Sequence, residues 1–207
     1  MVRTRESLHA SCDALAGFHD GFARVLEIHG HPEPRMSDPG VETLLRTIVG
    51  QQVSVAAARS MWNKLIAKFG QPVDLAALNA ASDEELREAG LSRQKAGYAR
   101  SLAGLVLSGE LDLAHLPEDD EEAIAQLTKI KGIGRWSAEI YLLFAEGRPD
   151  AFPAGDLAVQ IEIGKLMGLD ERPSEKQLRE WAEAWRPHRG AAAVLAWHSY
   201  NNVGTAV

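Results

Sequence analysis

The chain of 207 residues has an ordinary globular composition, 45% hydrophobic and 25% charged, and carries a formal net charge of −7. Its single cysteine, Cys12, excludes a disulfide framework, an all-cysteine metal site and the usual iron–sulfur cluster. The acidic balance, taken alone, argues against a polyanionic partner, because nucleic-acid-binding modules are usually basic. No secretory signal or membrane-spanning apolar run is visible, so we expect a soluble intracellular protein without a membrane partner.

Helical spacing of apolar residues dominates the chain, and no segment alternates as a half-buried strand would. Asp38 and Pro39 predict the N-cap and first residue of a helix that breaks near Gly50 and then resumes. Ser82 and Ser174 each begin a capping-box pattern, which predicts the start of two further helices. The sequence therefore indicates helices joined by short loops.

This pattern predicts a compact all-α fold of two helical lobes with a cleft between them. We expect one lobe at about residues 38–145, including a helical hairpin at residues 120–146. The second lobe is expected to combine residues 1–37 with residues 146–207.

The most informative segment is the turn Gly132-Ile133-Gly134 between the two helices of the predicted hairpin. Backbone N–H groups of such a turn, with those at the start of the next helix, can bind one anionic oxygen. The missing glycine side chains would let a phosphate approach closely. Lys129, Lys131 and Arg135 add positive charge at the turn. The alternative is a plain helical turn with no ligand.

Three motifs in chain order resemble those of one superfamily. The segment Ile130-Lys131-Gly132-Ile133-Gly134 resembles the helix-hairpin-helix motif of DNA repair glycosylases. The Gly/Pro-rich loop at residues 147–156 ends in Asp156, at a spacing that fits this superfamily. Residues 48–55 resemble the helix that carries its DNA-wedging residue. Each motif is weak alone, but their joint occurrence is specific.

Trp136, together with residues 156–160, narrows the resemblance to the DNA-3-methyladenine glycosylase II family, over roughly residues 20–203. The few residues before Asp38 imply the short form without an N-terminal β domain. The resemblance implies the helix-hairpin-helix glycosylase fold and, as partner, double-stranded DNA containing damaged bases. It also implies a monomer, cytoplasmic and nucleoid-associated in a bacterium or nuclear in a eukaryote.

Asp156 stands just before a predicted helix, so its position alone indicates an N-cap. The resemblance implies that it is also the catalytic carboxylate. The family hydrolyses the N-glycosidic bond of damaged nucleotides, through a transition state with positive charge on the sugar. A preoriented carboxylate stabilises that charge and can orient the attacking water.

Tryptophans provide the expected base pocket, because aromatic faces attract electron-poor purines. Trp136 and Trp197 match pocket tryptophans of the family. Ile140 stands where a pocket tyrosine can occur, and Tyr141 follows it. Relatives of the endonuclease III type carry a lysine nucleophile at the position of Trp136. The tryptophan there implies a glycosylase without lyase activity. The remaining tryptophans are interpreted as structural: Trp62, Trp181 and Trp185.

Two polar groups along the chain are further candidates for DNA contact. Gln52 best matches the wedge that fills the stack after base flipping, with Gln51 beside it. Both could instead be solvated helix residues. Arg93 and Lys95, with Arg100, form a basic patch that faces either phosphate or solvent.

No cofactor is expected to be required. The resemblance implies a structural monovalent cation held by the backbone carbonyls of Thr128, Ile130 and Gly132. The alternative functions are a non-catalytic helix-hairpin-helix DNA-binding module and a helical interaction protein without nucleic acid. The damaged base stays open among 3-methyladenine, 7-methylguanine, ethenoadenine and hypoxanthine.

The uneven distribution of charge along the chain allows a protein with a net negative charge to bind DNA. Negative charge concentrates in the acidic run at residues 118–122, whereas residues 92–100 and 128–148 are net positive. We expect a basic face opposite acidic ones, weak non-specific binding and a grip through backbone amides. The salt dependence of binding should then be shallow.

Overall fold

The computed structural model describes residues 4–202, which form helices, turns and loops and contain no strand. The helices are, in chain order, α1 (Arg5–Phe18), α2 (Asp20–His29), α3 (Val41–Gly50), α4 (Val55–Phe69), α5 (Leu75–Ala80), α6 (Asp83–Glu88), α7 (Arg93–Leu107), α8 (Asp120–Leu127), α9 (Arg135–Tyr141), a π-helical turn (Leu142–Glu146), α10 (Leu157–Leu166), α11 (Glu175–Ala182), a 3-10 turn (Glu183–Trp185) and α12 (Arg189–Asn202). Within this described part, no helix combines the length and apolar character needed to cross a membrane.

The chain divides into two compact units. The hairpin unit is Asp38–Tyr141, and the Asp156 unit comprises the residues up to Ser37 and from Leu142 onward. The boundaries of this division fall after Ser37 and after Tyr141.

Local capping signals identified several helix starts correctly. Ser82 and Ser174 form complete capping boxes at the starts of α6 and α11. The break near Gly50 is also confirmed, because α3 ends there and α4 begins at Val55. These starts depend on hydrogen bonds within four residues of the chain, which sequence patterns register directly.

The predicted start of α3 is wrong. Its N-cap is Gly40, with a φ of 120°, and no side chain caps the helix, so Asp38 and Pro39 lie before it. The Gly40 N–H donates to the hydroxyl of Tyr141 at 2.8 Å. A contact between residues so far apart in the chain leaves no local sequence signal.

In the hairpin unit, α3 packs against α4, α7 and α9, while α5 and α6 pack on α7. The fully buried side chains of this core include Leu44, Ile48, Leu65 and Leu102. Helix α7 therefore contacts three earlier helices of the unit, α3, α5 and α6.

In the Asp156 unit, α1, α2 and α12 pack on one another, and α10 packs against α2 and α12. Four alanines of α12 are fully buried: Ala191, Ala192, Ala193 and Ala196. Their small side chains allow close helix packing, which places the next residue, Trp197, beside the start of α10.

Candidate functional site

The two glycines of the hairpin turn have different roles. Gly132 has a φ of 83°, and a Cβ there would lie 2.2 Å from Cδ2 of Tyr98. A Cβ on Gly134 would meet nothing within 4 Å. The expectation that both missing side chains make room for a phosphate is therefore corrected: Gly132 makes room for Tyr98, and Gly134 faces open space.

Some backbone N–H groups of the turn donate hydrogen bonds to other groups of the protein. The Ile133 N–H donates to the Ile130 carbonyl at 3.0 Å, and the Lys131 N–H donates to Ser101 Oγ at 3.1 Å. The first i→i−4 bond of α9 runs from Ala138 to the Gly134 carbonyl. The turn and the N–H groups at the start of α9 are the candidate anion-binding element of the hairpin.

The side chain of Arg135 does not add free positive charge to the hairpin, contrary to expectation. Its guanidinium donates two hydrogen bonds to the Glu121 carboxylate, and its Nε donates to Glu139 at 3.0 Å. The hydrogen bond that Arg135 donates to Glu121 raises the pKa of Arg135. Glu121 belongs to the acidic run, so part of that run lies directly against the hairpin. Lys129 and Lys131 remain exposed.

The wedge loop, residues 51–54, follows α3 and separates the two predicted wedge residues. Gln52 is exposed and has a φ of 55°, the one positive φ at a non-glycine residue within 4–202. Gln51 is half-buried, and its Nε2 donates to the Gly132 carbonyl at 2.8 Å. This geometry favours Gln52 as the wedge and ties Gln51 to the hairpin.

Two apolar residues, Val53 in this loop and Val55 just after it, are not among the predicted wedge residues. Val53 is 38% exposed and Val55 is 80% exposed. Exposed apolar side chains next to a protruding polar residue suit insertion against stacked bases. Their only sequence signal is that they follow the glutamine pair.

The basic patch on α7 is largely engaged with the protein. Lys95 Nζ donates to the Val49 carbonyl at 2.7 Å, and burial lowers the pKa of Lys95. Arg100 binds Asp83 at 2.6 Å. Arg93 is exposed. As placed in this structure, only Arg93 of the three fits the expected phosphate contact.

The predicted pocket residues along α9 differ in exposure. Trp136 is 46% exposed, and Ile140 is half-buried. Tyr141 is 3% exposed, and its hydroxyl accepts the Gly40 N–H. As placed in the structure, Tyr141 has no open ring face for stacking on a base.

The carbonyl groups predicted to hold a monovalent cation already accept hydrogen bonds in part. The Ile130 carbonyl accepts from Ile133, and the Gly132 carbonyl accepts from Gln51. A carbonyl oxygen has two lone pairs, so each keeps acceptor capacity. With the Thr128 carbonyl they form an oxygen donor set whose chemistry fits a hard cation.

Asp156 is the N-cap of α10, as predicted. Its Oδ1 accepts the backbone N–H of Val159 at 3.0 Å and the indole N–H of Trp197 at 3.1 Å. The carboxylate is half-buried at the positive end of a helix dipole. Two donors from two helices thus fix its orientation, and two residues predicted from distant parts of the sequence meet here.

Buried polar residues support this arrangement, and the sequence indicated no such role for them. Gln160 Nε2 donates to the Ala154 carbonyl at 2.7 Å, which ties the loop before Asp156 to α10. Ser199 Oγ donates to Glu162 at 2.6 Å and so links α12 to α10. Both bonds hold the elements that carry Asp156 and Trp197.

Trp197 also lines a cavity of about 210 Å³ within the Asp156 unit. Its ring lies 5.6 Å from that of Phe144, centroid to centroid. The remaining lining residues are His31, Pro32, Glu33, Arg35, Val194, His198 and Asn201. The other tryptophans differ: Trp62 and Trp185 are buried, as a structural role predicts, whereas Trp181 is 37% exposed.

The all-α fold, the glycine turn and the helix-capping aspartate agree with the class that the sequence resembles, the helix-hairpin-helix DNA repair proteins. Residues 45–187 match the family described as "HhH-GPD superfamily base excision DNA repair protein". The chain belongs to this family.

Known proteins similar to this chain include DNA-3-methyladenine glycosylase 1 of Schizosaccharomyces pombe, 31% identical over 191 residues, which are 88% of this chain and 83% of that protein. The solved structure of the DNA-3-methyladenine glycosidase from Bacillus halodurans has a TM-score of 0.85 and 29% identity, and the match covers 95% and 91% of the two chains. The S. pombe 3-methyladenine DNA glycosylase in complex with abasic DNA has a TM-score of 0.78 and 27% identity, with 93% and 97% covered. The chain spans 57% of the length of another relative, YfjP of Bacillus subtilis.

Proposed function

We propose that this chain is a monofunctional DNA glycosylase that releases alkylated purines of the 3-methyladenine and 7-methylguanine type from double-stranded DNA. The observation that carries the proposal is the Asp156 carboxylate, oriented by the α10 N-terminus and by the Trp197 indole. The relatives named as 3-methyladenine glycosylases support the substrate class.

The chemistry follows from the charge that develops on the sugar. When the bond between C1′ and the base nitrogen breaks, its electron pair leaves with the base and C1′ becomes positive. A fixed carboxylate lowers the energy of that state more than that of the neutral sugar. Asp156 can then accept the proton of the attacking water, which adds to C1′ and leaves an abasic site. An N-alkylated purine is already cationic, so it leaves without protonation.

The hairpin unit supplies the DNA grip in this proposal. N–H groups at the α9 start bind a phosphate, and the carbonyls of Thr128, Ile130 and Gly132 would hold a monovalent cation that adds positive charge there. Gln52 fills the stack after the damaged nucleotide rotates out. Trp136, on α9, offers an exposed ring face for the cationic base. The protein would act as a monomer, in the bacterial cytoplasm or the eukaryotic nucleus.

The absence of lyase activity rests on Trp136, which has no amine to form a Schiff base with the sugar. The test is incubation of the wild-type protein with methylated duplex DNA. We expect free 3-methyladenine, a strand that breaks only after alkali treatment, and no covalent complex with borohydride. Strand cleavage without alkali would refute the monofunctional assignment, and DNA binding without base release would favour the non-catalytic module.

A further inference from the structure

One face of α7 contacts both the end of α3, the helix that precedes the wedge loop, and the hairpin turn. Lys95, Tyr98 and Ser101 are spaced three residues apart and so lie along the same side of the helix. Lys95 Nζ donates to the Val49 carbonyl at 2.7 Å, and Ser101 Oγ accepts the Lys131 N–H at 3.1 Å.

Two further contacts complete the connection. The ring of Tyr98 occupies the space where a Cβ of Gly132 would lie. Gln51 Nε2, in the wedge loop, donates to the Gly132 carbonyl at 2.8 Å. The end of α3 and the hairpin turn are therefore both bound to α7, and the wedge loop is bound to the hairpin turn, all within the hairpin unit.

Lys95 acts at the point where α3 ends. Val49 is in the last turn of α3, where carbonyl groups lack helix partners and carry partial negative charge. The ammonium of Lys95, a half-buried residue, satisfies one of these carbonyls. Three residues further on, the chain takes its positive φ at Gln52. The lysine thus secures the helix end from which the wedge residue projects.

We propose that Lys95 is a positioning residue for base displacement: it fixes the end of α3 so that Gln52 stands at a set position relative to the hairpin. The inference rests on the proposed glycosylase function. It replaces the phosphate contact expected from the sequence, because an ammonium bound to a backbone carbonyl acts on loop geometry rather than on electrostatic attraction.

The test compares three single substitutions that each remove one positive charge from the hairpin unit. Lys95→Met removes the ammonium that binds the α3 carbonyl. Lys64→Met is the matched control, because Lys64 is an exposed lysine on α4 with no role in the proposed machinery. Arg93→Met removes the exposed α7 cation. For each we would measure single-turnover release of 3-methyladenine at saturating enzyme and the fluorescence of 2-aminopurine placed next to the lesion. The third readout is the salt slope, which is the steepness with which the logarithm of the affinity for undamaged duplex falls with the logarithm of the salt concentration.

Lys95→Met should slow base release by about 10-fold or more, the change that corresponds to one charge-assisted hydrogen bond. It should also reduce the 2-aminopurine signal, while the salt slope stays at the wild-type value. Lys64→Met should match the wild type in base release. Arg93→Met should lower the salt slope by up to about 0.9. If Lys95→Met instead lowers the slope and releases base at the wild-type rate, Lys95 is a phosphate contact and the proposal is wrong.

A second measurement uses the wild-type protein and does not depend on the folding of a variant. Reductive methylation of lysines, followed by mass spectrometry, should modify Lys95 equally fast with and without DNA. Lys131, exposed at the hairpin, should be protected by DNA. Protection of Lys95 equal to that of Lys131 would overturn the proposal. A wild-type protein that releases no methylated base would refute the glycosylase function, and this footprint would still decide the role of Lys95.

Discussion

The hairpin turn gives the sharpest stability prediction, because its two glycines are in different surroundings. Gly132→Ala places a methyl group 2.2 Å from a ring carbon of Tyr98, at a φ of 83°. The left-handed backbone conformation costs about 1–2 kcal/mol for a residue with a side chain. Overpacking against a ring that must move costs about 1–3 kcal/mol more. We therefore expect a loss of about 2–5 kcal/mol in the free energy of unfolding.

For a domain of this size each kcal/mol shifts Tm by about 2–4 °C, so Tm should fall by roughly 4–20 °C. Gly134→Ala is the matched control, because its methyl group meets nothing within 4 Å. Its Tm should stay within about 2 °C of the wild type. Its affinity for DNA should fall, however, because the methyl group projects into the space that a phosphate is proposed to enter.

Thermal unfolding followed by circular dichroism measures the first effect, and fluorescence anisotropy with a labelled duplex measures the second. A double-mutant cycle with Tyr98→Ala isolates the steric part: Gly132→Ala should destabilise less in that background, because only the backbone strain remains. The reasoning is refuted if Gly132→Ala melts at the wild-type temperature, or if Gly134→Ala is the more destabilising of the two.

Three further predictions follow from single contacts. Glu121→Gln should remove the charged partner of two Arg135 guanidinium nitrogens, leaving the bond to Glu139, and steepen the salt slope of duplex binding by up to about 0.9, measured by anisotropy, and an unchanged slope would show that Arg135 stays away from phosphate. Burial raises the pKa of the Cys12 thiol to about 12, so at pH 8 the native protein should resist iodoacetamide while the urea-unfolded chain reacts, and rapid native labelling would contradict this. Trp197→Phe removes a donor to Asp156 and should slow single-turnover base release by about 10- to 100-fold, and a wild-type rate would show that the indole N–H is dispensable.

Local chemistry explains which parts of the fold could be predicted. Ser82, Ser174 and Asp156 cap their helices through bonds to residues three positions away, and sequence patterns detect such bonds. The start of α3 depends on the contact between Gly40 and Tyr141, 101 residues apart, and no pattern in the sequence indicates it.

The contrast between local contacts and contacts between distant residues also applies to the charged side chains. Lys95 and Arg135 both stand where the sequence indicates phosphate binding, yet each meets a partner from another segment, 46 and 14 residues away. The sequence shows that a residue is basic, but the exposure of its charge to solvent depends on tertiary packing. The resemblance predicted Asp156 and Trp197, whereas the hydrogen bond between them required the structure.

The most direct test of the central claim is single-turnover release of 3-methyladenine by Asp156→Asn. Asparagine is also a strong N-cap, so α10 should keep its start and the variant should fold. Removing the carboxylate charge should slow base release by about 100-fold or more, while affinity for methylated duplex stays at the wild-type value. A variant that binds this DNA and releases base at the wild-type rate would contradict the assignment of Asp156 as the catalytic carboxylate.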